Sequence, residues 1–150
     1  MCDIPVPVDD GERVVRAVFS NHLDKKNLRK NIFNDWRDEV SVMRHTYLGS
    51  DECKRLAREV KPGDPNIKYK GLAVIQVQAV REAHSEVHDS RAIYCGHGHI
   101  SHNIAALPID DPLAAQQKFA LDERLRALKS LARYLPDPEP MSDSWTGEAV

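Results

Sequence analysis

The chain has 150 residues and a formal net charge of −2; 41% of its residues are apolar, 29% charged and 6% aromatic. That length supports one domain with a core of its own. The mix of apolar and charged residues excludes global disorder, and no apolar run approaches the roughly 18 residues of a membrane-spanning helix. The small net charge is assembled from unlike parts. Residues 1–12 carry four acids and no base, and residues 13–70 carry 14 Lys and Arg against 8 Asp and Glu. Residues 71–135 hold seven of each sign, and residues 136–150 hold four acids and no base.

Residues 1–11 read as an irregular acidic lead, because Pro5 and Pro7 interrupt any regular element. Arg13 to Phe19 is dense in β-branched residues and reads as a strand with both faces largely apolar. Residues 20–37 are polar and basic. Leu28, Ile32 and Trp36 at i, i+4, i+8 suit a short helix or an ordered loop. Glu39 to His45 reads as a second strand. Ser50 suits a helix N-cap with Asp51 and Glu52 in the first turn, and Cys53, Leu56, Ala57 and Val60 form one apolar face. Pro62 to Pro65 ends that helix.

Leu72 to Val77 reads as a third strand, and Gln78 to His84 turns helical. Val87, Ala92 to Tyr94 and residues 99–105 suggest further short strands. Asp111 and Pro112 open the last helix, and Leu121, Leu125, Leu128, Ala132 and Leu135 supply its apolar stripe up to Pro136. Residues 136–150 read as an acidic, mobile tail whose Trp145 docks either on the domain or on a partner. The expected fold is therefore α+β: a small single domain over residues 12–135, with a mixed or mostly antiparallel sheet and the long C-terminal helix packed on one face.

Three cysteines, Cys2, Cys53 and Cys95, without regular spacing do not read as a disulfide framework. Cys53 reads as a small core residue and Cys2 as exposed. No apolar leader follows Met1, so a reducing cytoplasm is the expected compartment.

Three of the seven histidines fall in Cys95-Gly96-His97-Gly98-His99-Ile100-Ser101-His102. In an extended segment Cys95, His97 and His99 share a face, and these are transition-metal ligands, so Cys95, His97, His99 and His102 are candidates for zinc. The spacing locally resembles the His-x-His-x-Asp-His metal motif of the metallo-β-lactamase family. The resemblance covers only Cys95 to Pro108. Ser101 stands where that family places its metal-binding Asp, no histidine follows His102, and too little chain remains for the second half of that fold. His88-Asp89-Ser90 and His99-Ile100-Ser101 match the His-x-Ser pattern of the 2H phosphoesterases, but that family places one copy in each half of a larger duplicated domain. The alternative for these histidines is hydrogen bonding on a strand whose other face is core.

Arg16 and Arg44 each sit inside an apolar strand, where a charge is costly unless paired. Either they are held by acids such as Glu39 or Glu86, or they present guanidinium forks to a ligand. In the second case Arg16, Arg44, His97 and His99 line one anion pocket. Two functions follow. The first is a binding or accessory protein that engages an anionic partner (nucleic acid, nucleotide or acidic protein) through its basic first half, with no membrane association. The alternative is a metal-dependent or acid–base hydrolase of a phosphorylated substrate built on His97, His99 and His102.

Overall fold

The computed structural model describes residues 1–104 and 107–150. A six-stranded sheet carries the fold. Its strands are β1 (Arg13–Phe19), β4 (Val40–Met43), β5 (Tyr69–Gln76), β6 (Glu86–Asp89), β7 (His97–Ser101) and β8 (Arg133–Pro136), in the order β6-β7-β4-β1-β5-β8. Every pairing is antiparallel. Two-residue strands β2 (Leu23–Asp24) and β3 (Asn27–Leu28) form a separate hairpin. The helices are α1 (His45–Glu59), α2 (Val77–Glu82) and α3 (Ala114–Leu131). This is the α+β domain with a long C-terminal helix that the sequence implies.

Alternation along the strands gives the sheet two apolar faces. Val14, Val18, Val40, Val42, Ile75 and Ile100 point to one side, where Ile32 and Phe33 of a 3-10 turn, Val80 of α2 and Leu128 of α3 close over them. Val15, Met43, Leu72, Val74 and Leu135 point to the other, covered by Cys53 and Ala57 of α1 and by Trp145. Both faces are sealed, which is why the central strands lack a polar side.

Three expectations need correction. The start expected at Ser50 is not among them: α1 spans His45–Glu59, but Gly49, whose φ of 77° is a left-handed conformation that glycine adopts without a Cβ penalty, is not helical and parts a turn at residues 45–48 from the helix that runs on from Ser50. Ala92 to Tyr94 is not a strand but part of the turn between β6 and β7. Of the strand expected over residues 99–105, β7 takes 97–101, and residue 105 lies outside the described residues. The last helix stops at Leu131, and Arg133 to Pro136 become β8 on the edge of β5, with Leu135 opposite Leu72. Leu135 continues the helical stripe by spacing, yet pairing with β5 buries it completely and satisfies the open edge of that strand.

The terminal segments also differ from expectation. Residues 137–150 are not a free tail. Asp137 is buried and pairs with the fully buried Lys54 of α1 at 3.0 Å, while Lys54 Nζ also donates to the carbonyls of Glu139 (2.7 Å) and Ser144 (2.9 Å). Trp145 packs on the α1 side of the sheet, and its Nε1 donates to Glu148 O. The lead is equally anchored. Cys2 forms a disulfide with Cys95, with Cα atoms 5.4 Å apart, so Cys2 is a structural cross-link and not an uninformative terminus. Arg91 Nη2 donates to Ile4 O, Arg44 Nη2 to Pro7 O and Arg81 Nη2 to Val8 O. The disulfide removes the cysteine argument for a reducing compartment. Among the described residues no helix is long and apolar enough to cross a membrane.

Candidate functional site

The four proposed anion-site residues separate into different roles. Arg44 is fully buried and spent. Its Nε and Nη2 hold Glu12 at 2.9 and 2.8 Å, Nη1 holds Asp89 at 2.7 Å, and the carbonyls of Pro5 and Pro7 take further donors. It is the centre of a closed ion-pair network that ties the acidic lead to the sheet. Its place as an anion-binding residue is therefore corrected: the anions it binds are Glu12 and Asp89.

His97 is buried, with Nε2 2.5 Å from Ser41 Oγ and Nδ1 2.5 Å from Ser90 Oγ. Burial, with the neighbouring His99, lowers its pKa and keeps the ring neutral. His99 lies on the same sheet face, opposite Ser41 in the ladder, with its ring 5.1 Å from that of His88. His102 is buried elsewhere, between Ser85 Oγ at Nδ1 and the Phe33 carbonyl at Nε2, both at 2.8 Å. Cys95 is oxidised to Cys2 and has no thiolate to offer. The metal expectation for Cys95, His97, His99 and His102 is thus corrected. Among the described residues no group of three or more His, Cys, Asp or Glu side chains is placed to hold zinc or another metal ion.

Arg16 is different. β1 and β4 pair at Val15 and Met43 and then part. Continued ladder geometry would set Ala17 opposite Ser41, but the carbonyl of Ser41 instead accepts from Arg16 Nη1 at 2.9 Å. The guanidinium therefore fills the split between the two strands. Among the described residues this is its one hydrogen bond. Nε is shielded from solvent and has no partner, whereas Nη2 has none either but reaches solvent. Arg37, Arg44 and Arg91 show what that edge ordinarily does: in each, Nε and Nη2 together grip one carboxylate, of Asp35, Glu12 and Asp89 respectively.

The split opens into a cavity of about 310 Å3. Arg16, His22 and Asp35 line its polar end, and Met43, Leu56, Val60 and Tyr94 form much of its apolar wall. Burial pulls the Arg16 guanidinium down to about 10, against the charge of Asp35, so it stays cationic at neutral pH. Asp35 does not hydrogen-bond Arg16. Burial would raise its carboxyl, but the Arg37 side chain and backbone, with the charges of Arg37 and Arg16, hold it below the usual range. His22 is pushed down to about 4 by burial and by Arg16, so it is neutral. Its Nδ1 accepts from the Phe19 N–H at 3.1 Å, which places the ring proton on Nε2.

The sequence pointed to Arg16 through one signal, a charge inside an apolar strand. It missed His22, Asp35 and the helix side chains of the wall, which lie in three separate segments brought together only by the sheet order. No family model, curated protein or solved structure matches the chain.

Proposed function

We propose that the protein binds a small anionic molecule in the cavity between β1 and β4, with Arg16 as the charged anchor. The observation that carries this reading is a shielded guanidinium Nε without a hydrogen-bond partner, on an arginine that lines an apolar-walled cavity. A buried donor left unsatisfied costs about 1–3 kcal/mol, more when it belongs to a charged group. An arrangement that leaves one open beside a cavity is suited to a ligand that fills it.

This reading narrows the expectation of an anionic partner held by the basic first half. Much of that positive charge is answered internally: Arg44 by Glu12 and Asp89, Lys54 by Asp137, and Arg58 by Asp143. A cavity of about 310 Å3 has room for a small molecule, not for a nucleic-acid strand or an acidic protein. The hydrolase alternative gains no support, because both ring nitrogens of His97 and of His102 are committed to hydrogen bonds within the fold.

The test is thermal unfolding of the native protein and of Arg16→Gln with octanoate, benzoate and phenylphosphonate. At about a hundredfold excess over Kd a ligand of the folded state adds about 2.7 kcal/mol. That predicts a midpoint rise of about 5–11 °C for a chain of this length. At least one anion should raise the native midpoint and leave Arg16→Gln unmoved. No rise with any of them, or equal rises in both proteins, would refute the reading.

A further inference from the structure

We infer that the ligand of this cavity is a monocarboxylate with an apolar body, its carboxylate held jointly by Arg16 and by the Nε2–H of His22. The inference rests on the proposed anion-binding reading and goes on to name the chemical class.

The polar end of the cavity holds one uncommitted positive charge. Asp35 is close enough to act on Arg16 electrostatically, but its oxygens are taken by the Arg37 side chain and backbone, so that pair is internally neutral. His22 adds no charge. A single negative group on the ligand therefore balances the site. A dianion such as a phosphate monoester would leave one negative charge uncompensated among apolar walls, where an unpaired charge is heavily penalised.

A carboxylate is planar and matches the Nε–Nη2 edge of a guanidinium, the arrangement this chain already uses at Arg37, Arg44 and Arg91. Nη2 is the nitrogen an incoming oxygen meets first; Nε is covered, and a small rotation of the guanidinium brings it into play. His22 supplies another donor. Its Nδ1 is held by the Phe19 N–H, so Nε2 can only donate, and Nε2 has no partner among the described residues and reaches solvent. A carboxylate has the lone pairs to accept from both residues at once.

Met43, Leu56, Val60 and Tyr94 offer carbon surface and one aromatic ring, with no further cation. The body of the ligand is accordingly apolar. Met43 and Leu56 are unbranched at Cβ and can adjust to its shape.

The experiment compares three ligands of one shape on the native protein by calorimetric titration: 3-phenylpropionate, 2-phenylethylphosphonate and 3-phenylpropan-1-ol, at a pH where the phosphonate is doubly ionised. The carboxylate should bind at least about tenfold tighter than either of the others. In His22→Phe, which keeps a ring but loses the donor, its affinity should fall by about threefold to tenfold while the alcohol is unchanged. Phosphonate binding as tight as the carboxylate overturns the monocarboxylate assignment and leaves an anion site standing. Equal binding of the alcohol overturns any role for charge. No binding by all three overturns the anion-binding reading itself. If His22→Phe binds the carboxylate as well as the native protein while folded by circular dichroism, the joint hold is wrong and Arg16 acts alone.

Discussion

Replacing Arg44 by Met should destabilise the protein severely without touching the cavity. The side chain is completely buried, and both Glu12 and Asp89 are 3% exposed at their side chains. Methionine fills much of the volume but supplies none of the donors. Asp89 keeps Arg91 Nε at 2.8 Å, and Glu12 keeps the Asp9 N–H at 2.7 Å, so each carboxylate loses its charged partner on Arg44 but not every hydrogen bond. Removing one member of a buried pair costs about 3–5 kcal/mol, and the retained bonds place the expected loss near the middle, about 4 kcal/mol. A chain of this length loses about 2–4 °C per kcal/mol, so the midpoint should fall by about 8–16 °C. Calorimetry and urea unfolding would measure it. The same variant should bind 3-phenylpropionate like the native protein at temperatures where it is folded. A loss below about 1 kcal/mol, the value of an exposed pair, would refute the reasoning, and so would selective loss of ligand affinity in a folded variant.

Other consequences are as direct. His22 titrates near 6.5 when unfolded and is lowered to about 4 in the fold, so the unfolded chain binds the extra proton between those values. Stability should be full above about pH 6.5 and fall by up to about 3 kcal/mol as the pH drops toward 4. His22→Phe should flatten that slope in a pH series of unfolding curves, and an unchanged slope would assign it to other groups. Asp137→Ala strands Lys54 among backbone carbonyls and should cost about 3 kcal/mol, read as a lower urea midpoint and earlier proteolysis of residues 137–150; equal protease resistance would mean that the tail's other contacts hold it without the Lys54–Asp137 pair. Cys2→Ser opens a cross-link spanning 93 residues and should lose about 2–4 kcal/mol, with a matching loss when the native protein is reduced. No difference between reduced and oxidised protein would remove the clasp.

Much of this architecture is legible in the order of residues. The β-branched run at Arg13–Phe19 and the apolar face of Cys53 and Ala57 became β1 and α1 because local periodicity and tertiary burial agree there. Leu135 shows where such reading stops. Its spacing fits the stripe of α3, yet a four-residue strand on the edge of β5 buries it better, and only the partner strand decides between the two. The acidic ends carried a real signal in their charge, but its target was hidden. They find Arg44, Lys54 and Arg58 across the fold, so a segregation that suggested an outside anionic partner is in large part the protein binding itself. Cys2 and Cys95 are similarly mute in sequence, since nothing local tells that the lead crosses to the β6–β7 turn. His97 and His102 looked like ligands because of their spacing, while the fold uses them as buried hydrogen-bonding struts. Arg16 is the reverse: one unexplained charge in an apolar strand, which acquires meaning only when β4 parts from β1 beside it.

The most direct test of the central claim is the 15N–1H resonance of Arg16 Nε, followed as 3-phenylpropionate is added to the native protein. The account predicts a saturable downfield shift of its proton as the orphaned Nε–H acquires an acceptor, with the Arg44 Nε resonance, already bonded to Glu12, unmoved. An Arg16 Nε signal that stays in place through saturating ligand would contradict it.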